Sequence, residues 1–297
     1  MKTRLTIFIL ALLALPPAGL WLGGRDWSEL AGASLPVADD SAATVVTLLA
    51  LLCYALLTNL IVTLRIRSNP FTQQRSFFLA LAAASAVLGW LFSYLNLYAA
   101  NWSTAAGDTP LNILLDTLLF TLLAPAVLST RALLGLFSSL LKHLARGPAL
   151  PALTDETLVF ILTPAAALGL LGGAAWPAQW FWLLWAAPLL LLSALQLLWR
   201  ESTIFSGLKS GDWGRVVYAA LSGLIVGNLA VYSFQATGGS LTINLSNQLF
   251  AQLGYAVFGL LCLQLGDVIA EHWRGKQRSE LFQQKKKFPI PVVTKKK

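Results

Sequence analysis

Apolar positions in this chain do not alternate with polar ones but gather into long unbroken blocks. Crossing roughly 30 Å of hydrocarbon takes about 20 residues at 1.5 Å per helical residue. Blocks of that length occur at 4–23, 45–64, 76–98, 111–129, 157–175, 178–199, 215–235 and 249–270. Because each block is continuous, it predicts a helix, whereas a barrel strand would alternate. Only Trp176 and Pro177 separate the fifth block from the sixth, which predicts one long hairpin. The fold class that follows is an all-α integral membrane protein, a polytopic bundle of about eight transmembrane helices occupying residues 1–271.

A ninth helical pattern has a different character. In residues 131–146, RALLGLFSSLLKHLAR, Leu133, Leu136, Phe137, Leu140, Leu141 and Leu144 recur at three- and four-residue steps, with Arg131, Ser138, Ser139, Lys142 and His143 opposite. This predicts an amphipathic helix on the membrane surface, or else an extension of the fourth span. Gly147, Pro148 and Pro151 end it in either case.

Composition agrees with the blocks. At 57% hydrophobic and 11% charged, with a mean hydropathy of +0.68, 297 residues cannot cover a water-soluble globule of that size with polar surface. Charge then sets an expected orientation, since Lys- and Arg-rich loops stay cytoplasmic. With the N-terminus inside, twenty of the 21 Lys and Arg residues fall on the inner side and only Arg25 on the outer. The expected location is therefore a cytoplasmic (inner) membrane, with both termini in the cytoplasm. Reading the first span as a secretory signal, cut near Ala31-Gly32-Ala33, would leave seven helices in the same orientation. Residues 272–297 carry nine basic residues and one acid, a net +8 equal to that of the whole protein. This stretch is expected to be a disordered basic tail whose Lys285, Lys286 and Lys287 contact anionic lipid headgroups. It has no aromatic interleaving and no folded platform, so nucleic acid is not an expected partner.

Little of the familiar chemistry is present. The two histidines, His143 and His272, both fall at the inner surface and cannot clamp a membrane-buried haem. The CxxC, HExxH, phosphate-loop and GxGxxG motifs do not occur. Cys53 and Cys262 lie mid-span and read as small packing residues. No cofactor, metal site or catalytic residue is predicted. Asp39 and Asp40 in the first outer loop would suit a membrane transferase as metal ligands or base, although a solvated acidic loop is the favoured reading. Asp267 and Glu271, four apart near His272 and Arg274, would suit a cation, or form the polar collar where a helix leaves the bilayer. Gly169 with Gly173, and Gly223 with Gly227, are small-xxx-small pairs expected to bring helices together.

The candidate site starts from Asp116, the one acid inside the span that reads LLDTLLFTLLAPA. No Lys or Arg occupies the interior of any predicted span, so its charge needs neutral hydrogen-bonding groups, water or a proton. Counting depth from the outer ends, the same layer holds Ser93, Tyr94 and Asn96 in the third span and Asn112 in the fourth. The seventh adds Asn228, Tyr232 and Gln235, and the eighth Gln248, Gln252 and Tyr255. Asn112/Asp116, Asn228/Tyr232/Gln235 and Gln248/Gln252/Tyr255 each lie on one helix face. The inner halves of these helices read as almost purely apolar. These stripes predict a polar outer-half pocket between spans three, four, seven and eight, with Asp116, Asn112, Tyr94, Asn96, Asn228, Tyr232, Gln252 and Tyr255 as substrate-binding candidates. The competing reading is that they are interhelical hydrogen bonds. Three functions fit: binding or translocating a small weakly charged or lipid-like molecule; a non-catalytic subunit anchoring membrane-protein partners; or an enzyme acting on a lipid-linked substrate.

Overall fold

The computed structural model describes residues 2–25, 40–67, 70–105, 109–137, 143–151 and 153–285. Among them, eight helices are long and apolar enough to cross a membrane. They are α1 (Lys2–Leu22), α2 (Ser41–Ile66), α3 (Arg75–Ala99), α4 (Pro110–Leu134), α5 (Asp155–Ala175), α6 (Pro177–Leu198), α7 (Gly214–Ala236) and α8 (Gln248–Lys285). Each coincides with a predicted block to within a few residues except at two ends. Helix α4 runs on to Leu134 and so absorbs Arg131. Helix α8 continues to Lys285, through the first half of the stretch expected to be a disordered tail. Of the predicted surface helix, 131–134 form the last turn of α4, which ends at Gly135, and 143–144 are helical, while 138–142 lie outside the described residues, as do 286–297 with Lys286 and Lys287.

Local chemistry explains the boundaries. Thr109 and Thr154 cap α4 and α5, each hydroxyl accepting from the backbone N–H three residues on, and Pro110 and Pro177 occupy first-turn positions where no donor is lost. Helices α2 and α3 end on left-handed residues, Arg67 and Ala100, whose N–H groups return to the carbonyls of Thr63 and Asn96.

Helix α6 is the axis of the bundle: 67% of its span is buried, against 22–33% for the other seven. Its hairpin with α5 is tight because Gly169 and Gly173 offer no side chain; a Cβ on Gly169 would sit 2.8 Å from the Leu183 carbonyl oxygen. Helix α1 packs on α5 in the same way, Gly19 against Leu171 and Gly23 against Ala175. Helices α7 and α8 cross where Gly223 faces Gly259. These contacts match the packing role expected of the small-xxx-small pairs.

The two ends of the bundle differ. The end where α1 begins and α8 leaves the bundle is rich in basic residues and is called the basic end below. The opposite, far end is stitched by loops. A two-residue antiparallel ribbon pairs β1 (Trp102–Ser103) with β2 (Thr242–Ile243). The Asn96 side chain accepts from the N–H groups of Asn101 and Trp102 and donates to the Trp102 carbonyl. Asp40, only 3% exposed, accepts from both the N–H and the hydroxyl of Ser240. Asp40 is thus neither a solvated loop residue nor a free ligand but a buried staple; Asp39 lies outside the described residues. From the first loop, Arg25 donates to the carbonyls of Tyr98 and Ala174.

Candidate functional site

Directly beneath the ribbon lies a partly open cavity of about 270 Å³ lined by α3, α4, α6, α7 and α8. It occupies the half of the bundle where the sequence predicts a pocket, but its walls are different. Six aromatic rings line it (Phe92, Trp102, Phe120, Trp185, Tyr255 and Phe258) together with aliphatic side chains, and no charged residue does. The lining residues that carry a polar side-chain group are Ser93, Asn101, Tyr255 and the two tryptophans.

Three lining glycines let rings lie flat against helix backbones. A Cβ on Gly89 would fall 2.3 Å from the Phe120 ring, one on Gly227 2.5 Å from that of Tyr255, and one on Gly254 3.0 Å from that of Trp185. Each removes a side chain at the one place where an aromatic would otherwise be pushed into the hollow. Phe92 and Phe258 meet edge to face at 5.9 Å across the deeper part.

Of the eight predicted site residues, Tyr255 alone lines this cavity. Asn228 and Gln252 bind one another, each amide donating to the other's oxygen at 2.6 and 2.9 Å, on the exposed side of the α7–α8 crossing. Tyr232 is 74% exposed on the outside of α7. Tyr94 turns the other way, donating to the Leu13 carbonyl of α1 and accepting from Tyr98. Asn96 holds the ribbon. Asn112 and Asp116 are half-buried on the α4 face that also carries Phe120 and Leu123; Asp116 lies one helical turn beyond the cavity wall toward the far end. The polar stripes therefore do not converge. Their spacing defines a face on each helix but not the neighbour which that face meets, and two of them satisfy each other across a crossing as interhelical bonds.

Polarity near the basic end is the second departure from expectation. Gln264 of α8, fully buried, donates to Ser193 and to Gln196 of α6 at 2.9 and 2.7 Å. Tyr54 of α2 bonds Thr130 of α4 at 2.9 Å. Arg215 at the start of α7 pairs with Asp267, whose carboxylate is thereby committed to an arginine instead of a cation site. Just outside the span, Glu201 is held above the usual carboxylate range, first by burial and then by the Glu271 carboxylate. A depth count made only from the outer ends passes over these groups. The available signal was two amides, Gln196 and Gln264, each isolated in a leucine-rich run.

The fold defines a polytopic α-helical membrane protein with an apolar cavity lined by aromatic rings. No protein-family model matches the chain, nor does any curated protein or any solved structure.

Proposed function

We propose that this protein binds a small, uncharged, lipid-like molecule, taken from the bilayer into the cavity beneath the ribbon. The supporting observation is the cavity's lining: six rings and no charge in about 270 Å³, at membrane depth. Apolar pockets with a few polar groups are the usual architecture of small-molecule sites, and a charged solute would lose its hydration there without a counter-charge. This favours the lipid-like ligand over the weakly charged one. Asp116 flanks the site and does not ligate within it. The lipid-linked enzyme reading loses Asp40 as its acid, because that carboxylate is engaged by Ser240. By the positive-inside rule the cavity belongs to the outer leaflet of the cytoplasmic membrane.

The test is to fill the hollow. Ala230 lines it from α7, and A230W should abolish the fluorescence enhancement of a lipophilic probe such as a naphthylamine by the purified protein, while yield and helicity hold. Probe binding undiminished in A230W would refute the assignment.

A further inference from the structure

The cavity holds an imbalance of hydrogen-bonding groups that its apolar lining makes consequential. Of the lining residues with a polar side-chain group, Ser93, Asn101 and Trp185 are satisfied within the protein. Ser93 donates to the Gly89 carbonyl of its own helix at 3.1 Å. With its amide turned so that both ends are answered, Asn101 donates to the Ala99 carbonyl and accepts from the Trp185 indole N–H, both at 3.3 Å. Tyr255 and Trp102 remain. Among the described residues, neither the Tyr255 hydroxyl nor the Trp102 indole N–H meets an acceptor.

The fold commits both residues to the cavity. Tyr255 shares the lining face of α8 with Ala251, Gly254 and Phe258, and its ring lies against α7 because Gly227 carries no side chain. In the ribbon, Trp102 is the cross-strand partner of Ile243, which also lines the cavity, whereas Ser103 and Thr242 bond one another on the opposite face. One donor thus belongs to the α7–α8 wall and the other to the ribbon above it. An indole N–H can only donate, and a phenol readily does. Buried polar groups are as a rule paired, so two unpaired donors bordering one apolar space call for a ligand oxygen that accepts. A carbonyl oxygen has two lone pairs and brings no donor of its own, whereas a hydroxyl would add a further donor.

Resting on the assignment of the cavity to an uncharged lipid-like ligand, we propose that this ligand carries a carbonyl oxygen, as an acyl ester or a quinone does, and that Tyr255 and Trp102 are the residues that select for it. The surrounding rings and aliphatic side chains take its hydrocarbon part.

The experiment compares two fluorescent probes on the purified full-length protein: phenylnaphthylamine, which has no carbonyl, and an acyl-naphthylamine dye whose emission moves to longer wavelength when its carbonyl accepts a hydrogen bond. Y255F should weaken the acyl dye about three- to tenfold, the worth of one hydrogen bond between neutral groups, and move its bound emission to shorter wavelength. Phenylnaphthylamine affinity and Tm should stay unchanged, because the hydroxyl has no partner among the described residues to lose. W102F should act in the same direction, and decides alone should Y255F fail to accumulate. Displacement of the dye by a short-chain benzoquinone or by a short-chain diacylglycerol tells a quinone ring from an acyl ester, and either result supports the class. Equal dye affinity and emission in the unsubstituted protein and both variants, equal loss of the two probes, or displacement by neither lipid would overturn the proposal and leave the cavity assignment standing. Failure of both probes to bind the unsubstituted protein would remove the cavity assignment itself, and this proposal with it.

Discussion

Glu201 shows how a single residue beyond a helix end acquires unusual chemistry. Its N–H returns to the Gln196 carbonyl at 2.9 Å, turning the chain back against the bundle, and one carboxylate oxygen is buried without a hydrogen-bond partner among the described residues. Burial and the charge of Glu271 raise its pKa above the ordinary 4.5. The folded protein therefore holds this proton more tightly than the unfolded chain does. The stability it contributes is complete below the ordinary value and is lost as pH rises through the raised one. E201Q, which fixes the uncharged form, should match the unsubstituted protein in acid and gain in Tm relative to it as pH climbs toward neutrality. Melting curves at a series of pH values check this, and a difference that does not vary with pH would count against it. At this same scale the candidate site was least legible. Asn228, Gln252 and Tyr255 look alike in sequence, yet Tyr255 borders the cavity while the two amides bind each other outside it. One step along a helix turns a side chain by about 100°, which is enough to move it from a cavity to a crossing.

Helices were legible because the bilayer fixes their length, and so were some of their contacts. Lipid is as apolar as leucine, so helices associate through close packing, and glycines mark where backbones approach. A Cβ on Gly223 would lie 2.1 Å from the Tyr255 carbonyl oxygen and 2.6 Å from the Gly259 Cα, whereas one on Gly172 would meet nothing within 4 Å. G223L should therefore separate α7 from α8 and abolish folded protein, and G172A should leave yield and Tm within about 0.5 kcal/mol of the original, as surface changes do. Detergent-solubilised yield and melting temperature distinguish the two, and equal tolerance would remove this crossing from the fold. What the pattern did not reveal is that α6 would be central, because hydrophobicity alone does not separate a helix facing lipid from one facing other helices. Its distinguishing marks were Ser193 and Gln196, polar groups tolerable in a span only where a neighbour such as Gln264 can answer them. In the 131–146 pattern, Arg131 belongs to the last turn of a span, the extension that was one of its two readings, and the charges acting on it are those of Arg215 and Asp267.

For the molecule as a whole, charge asymmetry and site placement join into one argument. The cavity lies under the far-end ribbon and the arginine pair lies at the basic end, so whichever way the bundle is inserted the two occupy opposite leaflets. The distribution of Lys and Arg, twenty on one side and one on the other, makes the insertion proposed above the expected one. In that orientation the arginines would lie in the cytoplasmic leaflet, where anionic headgroups add a negative surface potential, and the apolar cavity in the leaflet turned away from it. Phosphatase and fluorescent-protein fusions test this directly. A fluorescent protein following Lys297 should light up in the cytoplasm, and a phosphatase inserted at 106–108, between the ribbon and α4, should be active only outside it. The reverse pattern would exchange the two leaflets. An apolar ligand supplied to the cytoplasmic face would then meet the cavity first, and the arginine pair would face the other side of the membrane.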